Sequence, residues 1–319
     1  MKYKFNSIFA NDIESYITLR CSLGNKEDTY ARRLHSFDKF CLEHYPDDMF
    51  LTQPMAESWC TLRANEKENT LQFRTNILRG FSKYLASIGK EAHIIPEGFA
   101  GKNVSFMPYL YTDSEMESFF YGADNLPPHP LSVYREFIIP VLFRLMYCCG
   151  LRPQEVRLLK LQDVNLNTGV LHITDSKRNK DRNVVMSADM CDLCRQYDNL
   201  MKARLPERDF FFQNPNGGPY SARWIQQQFF KCWKFAGISF DSCRRPRVYD
   251  WRHNFSTRII TKWIHDGKDV SLLLPYLSTY MGHSSLEYTA YYIHLVPEHY
   301  HLSALADWNC SQEVPGYED

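Results

Sequence analysis

The sequence predicts a mainly α protein with one small antiparallel β-sheet, divided into a helical N-terminal domain and a larger mixed α/β domain. Three observations carry this. Apolar residues in the first hundred positions recur only at helical spacing. A stretch broken by Gly89, Pro96, Gly98, Gly101 and Pro108 then loses all periodicity. Beyond it, β-like alternation appears between Asp163 and Met186 with helical patterns on both sides.

Tyr30, Leu34, Phe37 and Cys41 repeat as one helix face, with Asn25 and Asp28 as starting signals. A second helix is expected from Thr52 to Leu62. A third runs from about Leu71 to Ile88, with Leu78, Phe81, Leu85 and Ile88 on a stripe and Gly89 as its stop. These place a helical domain over residues 1–90, a linker over 91–108 and a second domain over 109–319. Thr112-Asp-Ser-Glu115 is a capping box that opens the second domain. Phe137 to Cys149 is apolar nearly all round, which predicts a buried helix ended by Gly150. Pro153 suits the first turn of the next helix and sets Arg152 at a helix corner. Strands follow at Asp163–Leu166, Val170–Thr174 and Asn183–Met186, with a turn at Asn167-Thr-Gly169 and Lys177 on a polar hairpin tip. Phe210–Phe212 reads as extended, Asn214–Pro219 as a turn, and helices return from Ser221 to the end.

Composition excludes more than it identifies. The 319 residues are 44% hydrophobic and 23% charged with a formal net charge of zero, ordinary for a globular chain. Between Arg152 and Arg258, however, 19 Lys and Arg stand against 11 Asp and Glu, which fits an anionic partner. No apolar run approaches the ~18–20 residues of a membrane span, and Met1-Lys-Tyr-Lys-Phe5 lacks the apolar segment of a secretory signal. The expected location is therefore cytoplasmic. Ten cysteines at irregular spacing read as reduced thiols. The one C-x-x-C, Cys191–Cys194, has no second ligand pair nearby and Cys194 lies on a helical stripe, so it reads as core packing rather than zinc; the residue types set out next can do their chemistry with no metal and no cofactor.

Five short stretches stand out: Arg152 in Gly150-Leu-Arg-Pro-Gln-Glu-Val156, Lys177 in Ser176-Lys-Arg-Asn-Lys-Asp-Arg182, Arg252 in Tyr249-Asp-Trp-Arg-His253, His283 in Met281-Gly-His-Ser-Ser285, and Tyr292 in Tyr291-Tyr-Ile-His294. Each alone has a plainer reading. Arg152 ties down a helix corner, Lys177 sits on a solvated tip, His253 makes a buried hydrogen bond, and the tyrosines pack as core aromatics. Together they are the residue types that handle a phosphodiester: two guanidinium groups to neutralise it, a tyrosine to attack it, and a lysine to protonate the leaving oxygen.

This order, Arg, Lys, Arg-His, Gly-His, Tyr, resembles the catalytic domain of the tyrosine recombinases, also called phage integrases, over roughly residues 105–305. The N-terminal bundle is similar in size and class to that family's core-binding domain. The resemblance implies that double-stranded DNA is cut one strand at a time. Tyr292, nine positions after His283, would attack and form a 3′-phosphotyrosyl bond. Arg152, Arg252 and His283 would stabilise the charge, and Lys177 would protonate the departing 5′-oxygen. It also implies a homotetramer on paired DNA sites, with tail residues such as Leu302, Leu305 and Trp308 packing on a neighbour, and nucleoid association if the source is bacterial. Tyr291 is the rival nucleophile; adjacent helical residues point about 100° apart, so only one can face the phosphate. One departure is plain: the family usually has histidine where Tyr249 stands. A phenol can donate a hydrogen bond, but its ordinary pKa near 10 makes it a poor proton shuttle.

The expected function is thus a site-specific recombinase of a mobile element, acting in integration, excision or transposition. Alternatives are a type IB-like topoisomerase, a non-catalytic DNA-binding protein that keeps the fold, and, more distantly, a metallohydrolase, which no H-E-x-x-H or acidic pair supports. Tyr249 and the lack of an arm-binding segment before residue 10 lean toward a simple mobile-element enzyme.

Overall fold

A computed structural model of the chain describes residues 3–101, 107–174, 181–239 and 245–295. The chain divides into two compact units, Met1–Met107 and Pro108–Asp319.

Unit one contains α1 (Ala10–Ser22), α2 (Glu27–His44), α3 (Gln53–Trp59) and α4 (Glu68–Ser87). Ile13 and Ile17 of α1, Leu34 and Phe37 of α2, Met55 of α3 and Phe81 of α4 meet in one core. The sequence stripe on Tyr30, Leu34, Phe37 and Cys41 therefore marks the buried face of α2. Its start is Lys26, however, which makes no side-chain cap. Helix α1 escaped the sequence reading. Its buried face is short and includes a carboxylate, Asp12, which Lys90 Nζ satisfies at 2.8 and 2.7 Å. Helix α3 stops at Trp59, short of the expected Leu62, and begins with a Thr52 hydroxyl accepting the Met55 N–H. Ala92 bridges to Leu51, and Arg79 donates to the carbonyls of Ile95 and Pro96, so the chain after α4 packs back on this unit.

Unit two opens with α5 (Asp113–Asp124), whose capping box is formed as expected: Thr112 Oγ1 accepts the Glu115 N–H and the Glu115 carboxylate accepts the Thr112 N–H. The buried helix α6 (Arg135–Cys149) follows, then the short α7 (Pro153–Arg157). Three strands, β1 (Val164–Asn165), β2 (Val170–Ile173) and β3 (Arg182–Val185), pair antiparallel in sequence order. Buried Leu171 and Val184 face each other in the register. Strand β1 is shorter than expected because residues 161–163 coil into a 3-10 turn, and β3 starts one residue early, at Arg182. The hairpin tip bearing Lys177, like the tail with Leu302, Leu305 and Trp308, lies outside the described residues. Phe210 bridges to Lys160, but Phe211 and Phe212 enter a turn instead of extending, and the Gln213 side chain accepts the Phe210 N–H at 3.3 Å.

Helices α8 (Ala188–Lys202), α9 (Ala222–Phe235), α10 (Asp250–His265), α11 (Val270–Met281) and α12 (Glu287–Ala290) complete the described chain. Cys194 is buried on the core face of α8. No three His, Cys, Asp or Glu side chains among the described residues cluster as a metal site. Trp251 of α10 stacks on Tyr111 at 4.5 Å and packs against Phe119 of α5, which anchors α10 to the main core. A separate cluster of Ile260, Leu274, Leu277, Met281 and Ile293 supports the segment that carries Tyr292. No helix among the described residues is long and apolar enough to cross a membrane.

Candidate active site

Helix α6 ends at Gly150 with φ 60°, a left-handed turn that places Arg152 ahead of α7. A Cβ at Gly150 would lie 2.5 Å from the Phe255 ring, so both backbone and space demand glycine. Pro153 starts α7, and Glu155 reaches back to accept the Arg152 N–H at 2.8 Å. The same carboxylate accepts Arg152 Nη1 at 2.6 Å and takes a two-pronged grip from Arg182, with both contacts at 2.9 Å. Burial works against charge on Glu155, but the hydrogen bonds from Arg182 and Arg152 prevail and hold its pKa down at about 2.

Arg182 also donates through Nε to the Tyr280 carbonyl at 2.8 Å. It lies against Gly282, the left-handed residue after α11; a Cβ there would come within 3.1 Å of the Arg182 side chain. Arg152 Nη2 donates to the Gly282 carbonyl at 3.0 Å. One arginine at the base of the hairpin thus links the Arg152 corner to the Gly282-His283 segment.

Arg252 is wholly buried on α10. Its Nη1 donates to the Gly150 carbonyl at 2.7 Å, its Nη2 to the Met281 carbonyl, and its Nε has no partner among the described residues. Burial, then the like charge of Arg152, lowers its pKa to about 10. The start of α10 is fixed by Asp250, which accepts the Arg247 N–H at 2.8 Å and its Nη2 at 2.9 Å.

A cavity of about 250 Å³ opens beside these groups, lined by Arg152, Tyr249, His253, His283, Tyr291 and Tyr292 among others. The structure therefore brings Arg152, Tyr249, His283 and Tyr292 together. Arg252 lies behind the lining, and Lys177 falls outside the described residues. Tyr292 is 3% exposed, and burial raises its phenol to a pKa of about 12 against the opposing pull of Arg252. Its ring stacks on His283 at 6.1 Å. His283 Nδ1 shares a 2.8 Å hydrogen bond with the buried Thr289 hydroxyl on α12. Burial and the cationic charge of Arg252 lower His283 to about 3, so the imidazole is neutral near pH 7. If Thr289 donates, Nε2 keeps its proton and becomes a donor.

The sequence reading gave no role to Glu155, Arg182 or Thr289. Glu155 and Arg182 lay within motifs it quoted, but their pairing joins segments 27 residues apart in sequence. Thr289, six positions after His283, carried no signal of its own.

Three guanidinium groups and one carboxylate in a buried site invite an anion. The family model described as the phage integrase family matches residues 112–299, more than half of the chain. The chain belongs to the phage integrase family. Two putative integrase/recombinases of Sinorhizobium fredii resemble this integrase over nearly its whole length. One is 29% identical over 92% of this chain and 94% of the relative; the other is 30% identical over 91% and 92%. Among solved structures, the post-cleavage complex of the XerH site-specific recombinase on a palindromic difH substrate matches with a TM-score of 0.64. It is 18% identical and covers 89% of this chain and 80% of that one. The Tn1549 transposon integrase in complex with transposon right-end DNA matches at 0.61, with 15% identity over 92% and 99%. At these identities the structural matches show a shared fold. The integrase is a tyrosine-type DNA recombinase by membership.

Proposed function

We propose that this integrase cuts and rejoins double-stranded DNA at specific sites through a 3′-phosphotyrosyl bond on Tyr292, in the service of a mobile element. The observation that carries this reading is the charge imbalance around the cavity. Among the described residues, Glu155 is the carboxylate that pairs with Arg152 and Arg182 and acts at longer range on Arg252, and a phosphodiester entering beside Arg152 supplies further negative charge. Tyr292 stands at that cavity beside neutral His283. Arg152 and Arg252 stabilise charge on the non-bridging oxygens, His283 donates a further hydrogen bond, Tyr249 supplies a phenolic donor, and Lys177 protonates the leaving 5′-oxygen. The S. fredii relatives, named for integration and recombination, and the transposon integrase of the same fold support the mobile-element role. Residues 1–90 form a DNA-binding domain joined by 91–108 to the catalytic domain at 109–319. The working assembly is a homotetramer on two paired sites, acting in the cytoplasm and, in a bacterial source, on the nucleoid.

The test is a duplex selected from random-sequence DNA by the full chain, then nicked beside the cleavage point so that the covalent complex accumulates. Tyr292→Phe abolishes that complex while DNA binding persists. A complex that survives Tyr292→Phe and disappears with Tyr291→Phe moves the nucleophile to the neighbouring residue.

A further inference from the structure

Tyr292 has to lose its proton as it attacks, and the Tyr249 phenol is poorly suited to take it. One turn further along α10, at i+4 from Tyr249 and so on the same face, stands His253. It lines the cavity with Tyr292. Its ring centre lies 5.6 Å from that of Tyr292 and 5.3 Å from that of Tyr249. Among the described residues, Nδ1 of His253 is buried without a partner and no hydrogen bond occupies Nε2. The helix that carries it is held by Asp250 and by the Arg252 grips on two carbonyls, so its ring is set on a rigid element.

We propose that His253 is the general base for Tyr292, taking over one helical turn away the proton traffic that Tyr249 cannot carry. The proposal rests on the recombinase reading above. On attack, the Tyr292 O–H proton passes to the His253 imidazole, directly or through one water. The Tyr292 oxygen forms a bond to phosphorus, and the bond from phosphorus to the 5′-oxygen breaks, with Lys177 protonating that oxygen. On rejoining, the 5′-hydroxyl returns its proton to Lys177 as its oxygen attacks phosphorus, and the bond to Tyr292 breaks as the imidazolium returns its proton to the phenol. A neutral imidazole is the form required. Burial, with Arg247 and Arg252 on its own segment, lowers its pKa to about 4 and keeps it neutral before DNA binds. An incoming phosphate then favours the protonated form.

The experiment measures formation of the covalent complex on the same selected, nicked duplex. His253→Gln and His253→Ala are expected to slow it by about 100-fold or more while still shifting the DNA in a gel. Free imidazole should restore His253→Ala, and adding Tyr249→His should restore His253→Gln. Wild-type rates in the His253 variants overturn the proposal, and so does a slow reaction that neither rescue improves. If the variants lose DNA binding, His253→Asn is judged by the same two rescues. A wild-type chain that forms no covalent complex, or a Tyr292→Phe chain that still forms one, removes the recombinase assignment itself and the His253 role with it.

Discussion

Glu155 is the residue on which the cationic groups of the site converge. It is buried and holds Arg152 and Arg182 at once. Removing one partner of a buried ion pair leaves uncompensated charge, at a cost of about 3–5 kcal/mol. Glu155→Gln should lower unfolding stability in urea by roughly that amount and should also slow covalent-complex formation, because Arg152 loses its tether. Glu155→Asp should recover less of the stability than of the charge, since the shorter side chain cannot span both arginines. At this scale the sequence was informative where a residue type announces chemistry. Arg152, His283 and Tyr292 were picked out by type and order, and they share one cavity. Glu155 stood inside a quoted motif, yet a carboxylate three residues into a helix has too many ordinary uses to be singled out. The placing of His253 against Tyr292 depends on how α10 faces a segment about forty positions later, which no local pattern encodes.

At the scale of elements, glycine punctuation did much of the predictive work. Gly150 marks in the sequence, and forms in the structure, the stop of the buried helix α6 and the entry to the Arg152 corner. The structure adds the Phe255 ring that closes off any side chain there. Gly150→Ala combines left-handed strain with overpacking and should cost roughly 3 kcal/mol, seen as a lower urea midpoint with an unchanged slope. The elements that sequence pattern missed or misplaced are those in which contacts outweigh periodicity. Helix α1 buries a carboxylate that is held by Lys90, far along the chain. Strand β1 shrinks because a 3-10 turn takes its first expected residue, Asp163, and Asn165 accepts the Asn167 and Thr168 N–H groups in a turn at the other end. Helix α12 is four residues long, too short for any periodic signal, yet it presents Thr289 to His283.

For the molecule as a whole, three buried groups of the site favour unfolding in acid, while burial pushes the Asp250 carboxyl the other way. His253 and His283 are depressed from 6.5 to about 4 and about 3, and Glu155 from 4.5 to about 2. In each case the unfolded chain takes up a proton that the folded chain refuses. The stability these three groups contribute is therefore fully present above pH 6.5 and falls as pH drops through the histidine window toward 3, with Glu155 adding to the fall between 4.5 and 2. Urea titrations at a series of pH values should show this decline. His253→Gln should make it shallower between pH 6.5 and 4. A decline that begins only below the carboxylate range would mean the histidines are not held neutral.

The two carbonyl grips of Arg252 bear on how any mutant survey of this protein is interpreted. A guanidinium that fastens the Gly150 turn to the end of α11 is part of the frame as well as a source of positive charge. Loss of recombination in an Arg252→Ala chain therefore has two origins that an activity assay alone merges. A loosened frame reveals itself as faster proteolysis or a lower melting point in the absence of DNA. A lost charge reveals itself only against the substrate, in a protein that remains as resistant as the parent.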